Sequence, residues 1–285
     1  MKEMPKMKMI ASAVFVLLLM FQSAVLAARS YDVYLVYGWI FFINNYLLIF
    51  LLLFLLPWNN VYVKWGVRGC ALALIVANTT FFYYFGNTNV LVSKPASGEH
   101  ALILKEYKNL RYETISLKPF IPLFGRATDV LEGSADFKAI ENSQYKVEWV
   151  SGDTAVLSYR PDKGTSLAQT IFNFRGSDYV RYQYVLVSLT GKWKEEDNPE
   201  NYFIYDQGEI VYANNGELYY YGEEETEQQG IFSLIVNGNE SKPSFTIVLN
   251  DDAEYEESGL LEEGSTITIS PVSLDEEEGK VYHKN

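Results

Sequence analysis

The residues most numerous among those able to do chemistry are carboxylates in the second half of the chain. Asp251, Asp252, Glu254, Glu256 and Glu257 form one run, and Glu223, Glu224, Glu225 and Glu227 another. Either run could offer oxygen ligands to calcium, but a calcium loop spaces its ligands Asp-x-Asp-x-Asp-Gly, and neither run does. A facing carboxylate pair would serve a glycosidase; spacing alone selects no pair from so many. Both runs read as solvated loops. Other catalytic material is scarce. The single cysteine, Cys70, and the two histidines, His100 and His283, supply neither a disulfide framework nor a thiolate or histidine metal site. No catalytic residue, metal or cofactor is expected.

A second group of polar side chains lies where polar groups are costly. Asn44, Asn45, Asn78, Thr79 and Thr80 interrupt long apolar stretches. Tyr34 to Leu56 carries no charge over 23 residues, enough for a helix to cross a hydrocarbon core, which takes about 20. Pro57 ends it. The second span, ending at Phe85, is read as starting nearer Val61, with Lys64 and Arg68 snorkelling to the headgroups. Trp58, Tyr62 and Trp65 mark one interface, and Tyr83 and Tyr84 the other. Folding residues 34–85 as a hairpin about residue 60 brings Asn44 and Asn45 within about one helical turn of Asn78. Their expected role is interhelical pairing, at roughly 0.6–2 kcal/mol per contact, rather than a polar path.

Upstream, Lys2, Lys6 and Lys8 precede the apolar run Met9–Ala28. Residues 1–28 read as a retained first helix or as a signal peptide cleaved after Ala27; the length of the run favours retention. Either way, Lys2, Lys6, Lys8, Lys64 and Arg68 fall on one side of the membrane, and the chain from residue 87 onward falls on the other. The cysteine-free outer region and the basic, apolar start imply a bacterial cell membrane, with the C-terminal region outside.

Charge divides the remainder. Residues 1–86 hold six basic and two acidic groups, whereas residues 191–285 hold five and 23. That excess argues against nucleic acid, whose phosphates dominate affinity. The shift at Thr190 predicts two modules, 99–190 and 191–274, with 275–285 as a frayed acidic tail. Both read as antiparallel β. Candidate strands in the first are 101–107, 110–117, 145–150, 154–159, 167–174 and 179–188. A loop runs from Pro119 to Asn142, with a short strand at 136–140. The second is a meander through 202–205, 209–213, 217–221, 231–236, 244–250 and 266–270, with turns rich in Asn, Asp and Gly. The fold class is therefore a membrane-anchored all-β protein, with two or three transmembrane helices ahead of two antiparallel β modules.

Gly191-Lys192-Trp193 opens the second module. It resembles the small lipocalin-like modules of secreted bacterial proteins, in which a Gly-x-Trp starts the first barrel strand. The resemblance implies that Trp193 closes the base of a reduced or half-open barrel, that some of Tyr202, Phe203 and Tyr205 line its interior, and that Gly191 resists substitution because a side chain would crowd the strand entering beside the indole. The alternative is a plain antiparallel sheet around a buried tryptophan. Tyr179, Tyr182, Tyr184 and Tyr219-Tyr220-Tyr221 could stack on sugars, but cross-strand packing explains them as well. The expected function is non-enzymatic: a cell-envelope protein whose β modules bind a partner protein or an envelope component. One alternative is carriage of a small amphiphile inside residues 191–274, which requires an apolar cavity there. Another is a carboxylate-dependent envelope hydrolase.

Overall fold

Apolar runs set the first three helices, and a computed structural model shows what they support; it describes residues 6–56, 61–110, 114–134, 136–175 and 184–285. The chain forms two compact units, residues 1–93 with 101–142, and residues 94–100 with 143–285.

The first unit holds α1 (Lys6–Arg29), β1 (Val33–Leu35), α2 (Trp39–Leu55) and α3 (Val61–Phe81), extended by a wider turn, Phe82–Gly86. Then come β2 (Thr88–Ser93), β3 (Leu102–Tyr107), β4 (Thr114–Ile121) and β5 (Phe124–Leu131). The five strands form one antiparallel sheet in the order β1-β5-β4-β3-β2. Two helices, Lys6–Arg29 and Val61–Gly86, are long and apolar enough to cross a membrane; α2 is shorter, at 17 residues. The helix expected from Tyr34 starts at Trp39 instead. Val33-Tyr34-Leu35 alternates as a strand should and pairs with Phe124–Arg126, so tertiary pairing takes residues that composition alone assigns to the span. Pro57 and Trp58 lie outside the described residues.

The expected loop 119–142 contains β5. Pro119 and Gly125 suggested a loop, yet they face each other across the β4–β5 ladder. Pairing of β4 with β3 ends at Leu117, so the N–H missing from Pro119 is not needed on that side. A Cβ on Gly125 would come within 2.8 Å of the Leu117 Cβ. The expected strand at 136–140 is a turn. The buried Glu106 carboxylate holds it, accepting the N–H groups of Ile140 and Glu141 at 2.9 Å each.

The second unit begins with a three-stranded sheet, β6 (Tyr145–Trp149), β7 (Thr154–Tyr159) and β8 (Ala168–Asn173). A short helical turn, α4 (Val185–Ser188), follows. The remaining strands are β9 (Gly191–Glu195), β10 (Tyr202–Asp206), β11 (Glu209–Asn214), β12 (Glu217–Gly222), β13 (Thr226–Gln228), β14 (Ser233–Val236), β15 (Phe245–Leu249), β16 (Thr266–Pro271) and β17 (Lys280–Lys284). They form one nine-stranded sheet, β12-β11-β10-β9-β17-β16-β15-β14-β13, with every neighbour antiparallel. Pairing of β17 with β9 curls this sheet into a nearly closed barrel. Counting directions around it, β12 and β13 run the same way and are separated only by Glu223–Glu225. They act as one interrupted strand, so nine strands occupy eight staves. The β14–β15 turn spans the remaining seam: the Tyr221 hydroxyl donates to Pro243 O at 2.6 Å, and Lys242 Nζ donates to Tyr220 O and to Glu225 Oε2 at 3.0 and 2.6 Å.

Three expectations are corrected here. Residues 275–285 are not a frayed tail: β17 sits between β9 and β16, with Tyr282 in the core. The strand expected at 179–188 is the helical turn α4 over its last four residues, while 176–183 lie outside the described residues. The division expected at Thr190 falls near Asn142 instead. Contacts from the β6–β8 sheet to the barrel account for that: Gln169 bonds Thr246, Glu148 accepts from Ser270 at 3.2 Å and from the Gly279 N–H at 2.6 Å, and Ile171 N–H donates to Gln229.

Candidate functional site: a cationic cleft beside an amide ladder

The expected pairing of amides involves a fourth residue. Gln22 of α1 donates to Asn45 at 2.6 Å and accepts from Asn44 at 2.6 Å. Asn45 donates to Asn78 at 2.8 Å, and Asn78 donates to Phe42 O at 3.1 Å. Asn44 also reaches Leu18 O. The ladder thus ties α1, α2 and α3 together at one level. Thr79 and Thr80 bond back to their own helix at Ile75 O and Val76 O, and Thr79 also meets the Tyr46 hydroxyl at 2.7 Å. A lone glutamine in α1 signals nothing by itself; its partners lie 22 and 23 residues away.

Beside the ladder, the helices and the sheet enclose a cleft of about 360 Å³. Asn45, Asn78, Phe41 and Phe81 form its helical wall, and Arg29, Tyr34 and Lys105 lie toward the sheet. Strand β3 is buried on both faces, so Lys105 enters the cleft from a buried backbone and is itself 3 % exposed. Its ammonium donates to Leu35 O at 2.8 Å and stands 5.1 Å from the Tyr107 ring centre. A Cβ on Gly38 would lie 3.4 Å from Lys105 Nζ and 3.2 Å from Phe85 O, so the absence of a side chain at residue 38 leaves room for the ammonium. Burial, helped by the charge of Arg29, lowers the Lys105 pKa to about 8. Arg29 lies over the Tyr34 ring at 5.8 Å. None of the described residues lining the cleft is acidic. Two cations therefore share an apolar pocket without a carboxylate, an arrangement that attracts an anion. Sequence reasoning missed both residues, because a lysine within an apolar strand reads locally as an edge or surface position.

The barrel has the opposite character. Trp193 is fully buried and donates its indole N–H to Leu189 O at 2.8 Å. Val185 and Leu189 pack with it, and Phe203, Tyr205, Tyr212, Tyr221, Phe245 and Tyr282 belong to the same buried core. Tyr202 is only partly buried. The φ of Gly191 is +120°, while the nearest atom to a Cβ there, Lys284 Cε, lies at 3.7 Å. Backbone conformation, rather than the expected crowding, therefore restricts residue 191.

Four carboxylates of the acidic runs are tied into local structure. Asp251 pairs with Arg175 at 2.8 Å, Asp252 accepts from the Thr266 hydroxyl at 2.7 Å, Glu223 accepts from Tyr205, and Glu225 pairs with Lys242. Among the described residues no group of three or more His, Cys, Asp or Glu side chains could hold a metal. His100 stacks on Phe174 and His283 stands 3.6 Å from Glu196. Tyr219, Tyr220 and Tyr221 share no single face: Tyr221 packs inward on Phe245, while Tyr220 is exposed. Tyr184 is exposed, and Tyr179 and Tyr182 lie outside the described residues.

Compared with known proteins, the chain matches no family model, no curated protein and no solved structure.

Proposed function

We propose that this chain is a membrane-anchored, non-enzymatic binding protein of the cell envelope, with its β units outside and its binding site in the cationic cleft. The observation that carries this reading is the amide ladder. Four carboxamides joining three apolar helices are what a bilayer demands of polar groups within it. Helix α2, at 17 residues, rises about 26 Å, close to the roughly 30 Å of a hydrocarbon core. Strands β1 and β2 join one sheet, from the α1–α2 link and from the chain after α3. That arrangement supports three crossings with the sheet at one end of the bundle and Lys64 and Arg68 toward the other. It also favours retention of α1, because cleavage after Ala27 would remove Gln22 from Asn44 and Asn45.

The barrel contributes a rigid outer module. Its eight staves and Gly-x-Trp start support the lipocalin-like resemblance, while the aromatic rings of its core take up space that a carried amphiphile would need. The engaged carboxylates likewise speak against a hydrolase. A partner protein or envelope component bound by the outer β units remains part of this reading, as does a bacterial origin. Fractionation tests the anchor: the chain should stay with membranes through an alkaline carbonate wash. Protease added to intact, wall-stripped cells should digest the region after residue 98. Release by carbonate, or protection from protease, would overturn the reading.

A further inference from the structure

A second space adjoins the cleft at the amide ladder. This groove, about 390 Å³, runs along the three helices between Leu19, Leu48, Leu52 and Leu74, and it shares Asn45, Asn78 and Phe81 with the cleft. The two spaces thus have three side chains in common in their walls, and each falls within the size of small-molecule pockets. Their chemistry differs along the path. One end presents Arg29 and Lys105, the middle presents two carboxamides, and the far end is apolar. That gradient is the gradient of an acidic amphiphile.

We propose that one acidic membrane lipid occupies both spaces, its anionic headgroup between Arg29 and Lys105 and an acyl chain in the groove between Leu48, Leu52 and Leu74. This rests on the membrane-anchored reading, which places the groove within the hydrocarbon and the two cations near the interface. Lys105 carries the charge argument. It is buried, it has a carbonyl partner rather than a carboxylate, and Arg29 adds a second positive charge instead of relieving the first. An anion offsets both, and its bonds gain strength from the water-poor surroundings. Asn45 and Asn78 bond each other in the wall common to both spaces, and the ester region of the lipid lies across that pair. A zwitterionic headgroup brings its own cation toward Arg29 and gains less.

The test uses the full chain purified in a nonionic detergent, stripped of lipid, and supplied with phosphatidylglycerol or phosphatidylcholine of the same acyl length. Retained lipid is read by native mass spectrometry. One phosphatidylglycerol per chain is expected, held at least tenfold better than phosphatidylcholine. Arg29→Gln, at an exposed position, and Lys105→Met should each cut retention about tenfold, whereas Arg29→Lys should keep most of it. Circular dichroism confirms that each variant is folded, and the Arg29 pair keeps the test decisive if Lys105→Met is not. Equal retention of the two lipids would overturn the ligand class while leaving the anchor intact. No retained lipid in a protein that stays in carbonate-washed membranes would overturn the proposal alone. Glycerol phosphate bound as well as the whole lipid would overturn the acyl-chain half.

Discussion

The barrel and the helix–sheet unit treat buried polarity in opposite ways. Inside the barrel, aromatic rings fill the space: Trp193, Phe203 and Tyr282 are each under 2 % exposed, and the Trp193 indole N–H is satisfied by Leu189 O. Inside the first unit, four carboxamides and an ammonium are buried or half-buried beside an open cleft. Close-packed aromatic rings contribute stability. A buried cation without a carboxylate costs stability and provides a place to bind. The contrast teaches where to look for binding in a chain whose exposed charge lies mostly elsewhere.

The barrel half of this comparison breaks most completely by removing β17. Deleting residues 280–285 opens the sheet between β9 and β16 and withdraws Tyr282 from the core. Hydrogen exchange should show loss of protection throughout 191–271, while β3 and β4 stay protected. Next in size is Trp193→Ala. Truncating a buried Trp costs about 3–5 kcal/mol, a large share of the roughly 5–15 kcal/mol of a typical domain. The same exchange experiment should show barrel protection falling by that amount, with the first unit unchanged. Unaltered protection would mean that the indole is not part of the core.

Smaller effects sharpen the other half. Asn45→Leu removes the centre of the ladder and leaves Gln22 and Asn78 each short of a partner, at a cost of about 1–3 kcal/mol per orphaned group. Thermal unfolding in detergent should move downward for the helical unit and not for the barrel. The smallest effect is the pH response of Lys105. Its pKa is lowered from 10.5 to about 8 in the folded chain, so between those values the unfolded chain binds more protons. Stability of the first unit should therefore rise as pH increases from about 8 to 10.5, and the penalty is fully present below 8. The charged and titratable groups facing Lys105 are Arg29 from α1, Tyr34 from β1 and Tyr107 on its own strand. Lys105→Met should abolish the slope in that window, measured by melting temperature against pH. An unchanged slope would show that the ammonium is not desolvated.

Local pattern made most strands legible. Thr154–Tyr159 is a short run after a Ser-Gly-Asp turn and is buried on both faces, and the turns at Asp206-Gln207-Gly208 and Asn214-Asn215-Gly216 sit where the barrel reverses, with Gln207 and Asn215 at positive φ. What escaped depends on distant partners. Lys280–Lys284 has only Val281 and Tyr282 as apolar residues and follows Glu276, Glu277 and Glu278, and only β9 and β16 give it a place. Val33–Leu35 lies within a stretch apolar enough to continue the helix, and only β5 draws it into a sheet. For the site, Asn44, Asn45 and Asn78 stood out because amides are costly in apolar spans, whereas Gln22 needed the third helix to acquire meaning. Lys105 was hidden for the same reason: its burial follows from helices packed on β3, which no spacing within residues 102–107 discloses.

The proposed retention of α1 underlies the ladder, the cleft and the proposed anchor alike. The direct measurement is the intact mass of the chain extracted from washed membranes. A single species still carrying residues 6–29 is the predicted result; a species beginning at Ala28, and so lacking Gln22, would contradict the account.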